Sequence, residues 1–141
     1  MDSYQKLEKY LKVHELRHTY ERTNMLDFIV QLDGHFTVPQ LLEQFAKPWH
    51  ISRVSIYRNL NLFVDADIVV VHPFPGDEKV YELTERAVTH CHRVCMRCGA
   101  VKEFTDMRAS KLLNAHRFRH FSKISTHAYI YGVCAKCREK K

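Results

Sequence analysis

The chain has 141 residues, 45% of them apolar and 27% charged, which fits one globular domain or two small ones and excludes a disordered or fibrous chain. No apolar run approaches the ~18–20 residues that span a bilayer, and the first ten residues lack the layout of a signal peptide; the protein is expected in the cytoplasm, where paired cysteines mean metal more often than disulfide. The net charge of +6 invites a nucleic-acid partner, but residues 1–75 carry eight Lys/Arg against nine Asp/Glu and residues 76–141 fourteen against seven, so overall charge is weak support for DNA binding.

Residues 3–15 place Tyr4, Leu7, Tyr10 and Leu11 at helical spacing, with Ser3 as the expected N-cap. Residues 15–22 read as a polar connection, and Thr23 or Asn24 opens a second helix that runs to Leu32 and stops at Asp33-Gly34. Thr37 caps a helix over 38–46, with Pro39 in its first turn. Lys47 to His50 is a turn, and Ser52 caps a helix over 53–65 with Ile56, Leu60, Phe63 and Val64 inward. A short helix, a turn and a longer helix bearing Arg53, Ser55, Tyr57 and Arg58 suggest a helix-turn-helix. The β-branched runs 68–72 and 79–83, joined by a Pro-Gly turn, add a hairpin wing. The competing reading is a helical domain with a packing hairpin and no DNA contact.

After a polar link over 84–89, residues 90–95 and 100–104 read as strands. Residues 106–120 read as a helix with Met107, Leu112, Leu113 and Phe118 inward, and 124–133 as a further strand. The expected fold is α+β: a winged helix-turn-helix domain over 1–84 and an α/β domain over 85–141 with exposed strand edges that a two-fold partner could cover.

Two metal constellations stand out. Cys95-x-x-Cys98-Gly99 and Cys134-x-x-Cys137 supply four thiolates, which favour tetrahedral Zn(II) with no open position, hence a structural site. His90 and His92 alternate onto one strand face, and a chain reversal at the knuckle brings Glu103 opposite His92. Two imidazoles and a carboxylate suit Zn(II), Fe(II) or Mn(II); a solvated polar face is the alternative. His14, His18, His50 and His72 stand singly and read as surface or packing residues. His116 and His120, four apart among Arg and Lys, read as a solvated basic face.

These motifs carry a resemblance. The segments L-R-H-T-Y-E-R (16–22), H-F-T-V-P-Q-L-L (35–42), R-V-S-I-Y-R-N-L-N-L-F-V-D-A-D-I-V (53–69), K-V-Y-E-L (79–83), H-C-H-R-V-C-M-R-C-G-A-V-K-E-F (90–104) and Y-I-Y-G-V-C-A-K-C (129–137) make the sequence similar to the ferric uptake regulator family. The resemblance implies a homodimeric, metal-sensing repressor of metal-uptake genes, and it makes 85–141 the dimerisation domain. It would bind an AT-rich, palindromic operator and take no small-molecule substrate. It adds His35 and Glu82 to His90, His92 and Glu103 as ligands of a regulatory ion, with Fe(II) expected and Zn(II) or Mn(II) as alternatives. It also nominates Tyr57, Arg58 and Arg22 as DNA contacts, with Arg53 and Ser55 as weaker nominations.

The chain departs from the family where many relatives carry a further metal site. It has Thr89, Cys91, Ser110 and Thr126 there, with His127 displaced by one residue, so that site is expected to be absent or altered. Cys91 reads as a half-buried strand residue, with redox sensitivity as the sharper option. Peroxide-sensing relatives place aspartates in the sensing site, where this chain has two glutamates. A small zinc hydrolase using His90, His92 and Glu103 is a further alternative, but H-E-x-x-H is missing. A zinc-stapled module that binds no DNA is another.

Overall fold

The computed structural model describes residues 1–45 and 51–140; the expected turn at Lys47–His50 lies outside them. The chain divides into two compact units, residues 1–73 with 77–85, and 74–76 with 86–141.

The first unit is built from α1 (Ser3–Val13), α2 (Tyr20–Gln31), α3 (Val38–Phe45), α4 (Arg53–Asp65), β1 (Val69–His72) and β2 (Val80–Leu83). Its helices start at side-chain caps. Asp2, not Ser3, caps α1: its carboxylate accepts from the Gln5 N–H, and the Gln5 side chain accepts from the Asp2 N–H. Ser3 lies inside the helix, its hydroxyl donating to Glu85 Oε1 at 2.6 Å. Thr19 caps α2, which therefore begins three residues before the expected Thr23. Ser52 caps α4 as expected, accepting from the Ser55 N–H.

The apolar faces converge on one core that includes Met25, Leu26, Leu41, Ile56, Leu60 and Phe63, each fully buried. Helix α4 ends with Asp67 in the left-handed region (φ 56), while the Ile68 N–H reaches back to the Phe63 carbonyl at 2.8 Å. Lys6 Nζ donates to both the Asp67 carbonyl (2.7 Å) and its carboxylate (2.9 Å), tying α1 to that corner.

Strands β1 and β2 pair antiparallel, with Val70 opposite Glu82 and His72 opposite Val80. Phe36 bridges the free edge of β2: its N–H donates to the Tyr81 carbonyl (2.9 Å) and its carbonyl accepts from the Tyr81 N–H (2.8 Å). Their rings stack at 5.7 Å. That bridge sets His35 beside Glu82.

In the second unit, β3 (Cys91–Cys95) lies between β4 (Val101–Phe104), antiparallel to it, and β5 (Tyr129–Gly132), parallel to it. The register puts His92 opposite Glu103 and Tyr129. Gly99 takes φ 75 in the knuckle, a conformation that costs a glycine little, and its N–H donates to the Cys95 carbonyl. The polar link over 84–89 contains a short helix, α5 (Thr84–Ala87), and a last helix, α7 (Ala135–Glu139), follows the second cysteine pair's first member.

Helix α6 (Met107–Ala115) is capped by Asp106 and stops five residues before the expected end. Residues beyond it turn instead through a Phe118–Phe121 bridge. The expected inward residues point outward: Met107 is 62% exposed, Leu112 75%, Leu113 44% and Phe118 52%. No residue of α6 is buried, so its apolar side lacks a cover within the described chain. Strand β5 is likewise shorter than the expected 124–133.

Candidate metal centres and the recognition helix

The two knuckles bring Cys95, Cys98, Cys134 and Cys137 together, with all four sulfurs within 4.8 Å of one another. Cys98 Sγ lies 3.7 Å from Cys134 Sγ. Four sulfurs ~2.3 Å from a tetrahedral zinc ion would stand about 3.8 Å apart, so the spacing fits the ion. The main chain prepares the donors. The Cys134 N–H donates to Cys95 Sγ at 3.3 Å, and with the N–H groups of Cys98 and Arg97 it lowers the Cys95 thiol to about 6. Cys134 is also lowered, chiefly by the Cys137 N–H. Cys137 moves the other way, to about 12, because its hydrogen bond to Cys134 favours the thiol and three sulfurs crowd it. Four thiolates at this spacing need a cation among them, and the cluster fits a structural zinc site.

Each unit supplies nitrogen and oxygen donors. In the first unit, Glu82 is fully buried and its Oε2 lies 3.2 Å from His35 Nε2 and 2.6 Å from His72 Nε2. One carboxylate oxygen is thus shared by two imidazole nitrogens. In the second unit, His90 Nε2 lies 3.1 Å from His92 Nε2 and 3.5 Å from Glu103 Oε1. His92 is 2% exposed, stacked on Tyr129 (5.7 Å, 19°) and edge-on to Phe74 (5.4 Å, 61°). Each unit combines imidazole with carboxylate here and adds no sulfur, a donor set that fits a regulatory divalent ion.

Sequence reasoning missed His72, Phe74 and Tyr129. Of the two alternatives read for His72, surface or packing, the structure has the second: its side chain is sealed from solvent against Glu82. A signal existed, because once β1 and β2 are in register, His72 and Glu82 fall on one face as diagonal neighbours. The two aromatic residues around His92 had no such marker. At the positions of the relatives' further site, Cys91 is buried, the Thr89 hydroxyl donates to the Arg86 carbonyl, and His127 Nε2 lies 3.0 Å from Ser125 Oγ. His116 and His120 are exposed.

Helix α4 presents Arg53, Val54, Tyr57, Arg58 and Asn61 to solvent. Ser55 is half-buried, and its N–H and hydroxyl both engage the Ser52 cap. Arg22 is committed inside the unit: Nε donates to Asn59 Oδ1 at 3.2 Å and Nη1 to the Arg17 carbonyl. Asn59, buried on α4, also donates to Met25 Sδ. Burial, and secondarily the neighbouring Tyr57, push the Tyr81 hydroxyl up.

A helical unit with a two-stranded wing, an α/β unit with a four-cysteine cluster and sulfur-free donor groups together define a metal-binding winged-helix protein. Residues 13–131 match the model of the ferric uptake regulator family. The chain is 34% identical over 134 residues to the ferric uptake regulation proteins of Escherichia coli (strain K12) and Shigella flexneri, covering 92% of this chain and 90% of each relative. A solved ferric uptake regulator from Pseudomonas aeruginosa, with manganese, superposes with a TM-score of 0.73 at 26% identity over 92% of this chain and 98% of that one. The chain belongs to the ferric uptake regulator family. It is a metal-responsive transcription regulator and not an enzyme, so the hydrolase alternative falls.

Proposed function

We propose that the protein is a homodimeric, metal-dependent repressor of metal-uptake genes that binds a palindromic, AT-rich operator in the cytoplasm. Residues 1–84 would read DNA, and residues 85–141 would dimerise and hold metal. His35, Glu82, His90, His92 and Glu103 together would ligate one regulatory ion, and the four cysteines one Zn(II). When bound, the regulatory ion supplies a shared positive centre for donors drawn from both halves of the chain. Those donors favour the arrangement in which all of them reach it, and so bias how the two recognition helices are presented.

The observation that carries this reading is the chemistry of the donors: imidazole and carboxylate from each unit, with no sulfur among them, apart from a separate four-sulfur cluster. Fe(II) is the expected ion, in keeping with the relatives' names. Mn(II) suits the same kinds of donor, and the Pseudomonas aeruginosa relative was solved with manganese. On α4, Tyr57 would meet a thymine methyl, with Arg58 and Arg53 on phosphate or base edges. Arg22 would reach phosphate only by giving up its bonds to Asn59 and Arg17. Ser55 is the weakest contact because it serves the cap. Dimerisation accords with the bare apolar side of α6 and with the exposed Ile130, Tyr131 and Val133 at β5.

The test is fluorescence anisotropy with AT-rich promoter DNA under anaerobic conditions, adding Fe(II), Mn(II) or Zn(II) and then chelator. The wild type should bind only with metal. The double variant H90A/H92A should stay folded, keep its four-cysteine zinc and lose metal-stimulated binding. Undiminished metal-dependent binding by that variant would sink the assignment.

A further inference from the structure

The proposed sensing site leaves one buried group unused. His72 ends β1, its side chain fully sealed from solvent, with Nε2 2.6 Å from Glu82 Oε2. His35 approaches the same oxygen at 3.2 Å and keeps 24% of its side chain exposed. The two imidazoles meet edge to face at 4.9 Å, so one carboxylate carries an open imidazole and a closed one.

We propose that His72 is the positioning residue of the sensing site: it holds the Glu82 carboxylate in the orientation that ligates the ion, without ligating the ion itself. This rests on the reading of Glu82 and His35 as ligands. To become a ligand through Nε2, His35 must offer that nitrogen's lone pair to the ion, so the same nitrogen cannot then donate to Glu82. His72 need not change. Its ring is shut behind the carboxylate, on a strand bonded to the strand that carries Glu82. A carboxylate withdrawn from water requires donors at all times, and a short bond to an ionised acceptor is among the stronger ones. His72 therefore keeps Glu82 oriented both before and after loading. Carboxylate ligands are commonly fixed by such partners, whose removal lowers metal affinity by roughly 10–100-fold.

The full-length protein is tested with Co(II) as spectroscopic probe and by competition between Mn(II) and a fluorescent chelator. Four variants are compared: H72L, which fills similar space but donates nothing; H72Q, whose amide donates with comparable reach; H72N, whose amide falls short; and E82Q. H72L is expected to lower affinity by about 10–100-fold while the Co(II) absorption bands keep their positions, because the ligand set is intact. H72Q should recover most of the loss. If H72L does not fold, the order of affinity wild type, H72Q, H72N carries the test. Affinity of H72L, or of H72N in its place, within about 3-fold of wild type overturns the proposal. So does a Co(II) spectrum in H72L that shows a nitrogen ligand lost, which would make His72 a ligand. Unchanged affinity in E82Q would overturn the site reading, and the role of His72 with it. Loss of binding in E82Q beside normal binding in H72L would leave the site standing and remove His72 alone.

Discussion

At the scale of single residues, the four cysteines show how little spacing says about protonation. Two C-x-x-C pairs mark the site, yet identical side chains have opposite shifts: Cys95 is lowered to about 6 by N–H donors and Cys137 raised to about 12 by its sulfur neighbours. In zinc-free protein the signs are therefore opposed. The Cys95 contribution to stability is complete above the ordinary thiol value of 9 and is lost as pH falls through about 6. That of Cys137 is complete below 9 and is lost as pH rises toward 12. Thiolate absorbance near 240 nm in chelator-stripped protein should show an ionisation near pH 6 that is lost or reduced in C95S. A first step at the ordinary value in wild type, or a titration unchanged in C95S, would contradict the assignment. His72 is the opposite case: standing alone in the sequence it read as a surface or packing residue, and only the register of two short strands sets it beside Glu82.

At the scale of elements, starts and stops were legible where a side chain closes a ring with the backbone. Ser52 before α4 was read correctly. The start of α2 was not, because Tyr20, Glu21 and Arg22 look like a polar connection until Thr19 is recognised as the cap. The larger difference is α6. Its apolar spacing reads as an inward stripe, yet all of that stripe is exposed within one chain. A pattern shows that a face must be covered without saying by which chain. If a second copy covers it, a charge on that face should separate the copies. L112E is expected to shift the protein from dimer to monomer in sedimentation velocity with helix content unchanged, and a persistent dimer would exclude this face from the interface.

At the scale of the whole molecule, the sequence signalled two halves by their charge, near neutral and then basic. The structure divides at much the same place but not by a single cut. His90, His92 and Glu103 were legible from strand alternation. His35 and Glu82 were not, because their proximity depends on the Phe36–Tyr81 bridge, a pairing of two residues far apart in sequence that no local pattern announces. Only the family resemblance reached them. The division also bears on how the protein can be taken apart. Residues 74–76 belong with the second unit although β1 and β2, on either side of them, belong to the first. The backbone thus passes between units three times, and a single protease cut or truncation after Glu85 does not release a complete second unit. A fragment spanning 86–141 would retain its sheet and cysteines but leave behind Phe74, the ring set edge-on to His92. NMR of such a fragment should show the His92 ring resonances shifted from those of the intact protein and restored when a peptide spanning 72–78 is fused to its N-terminus. Identical His92 shifts in both forms would mean that the fragment is self-sufficient.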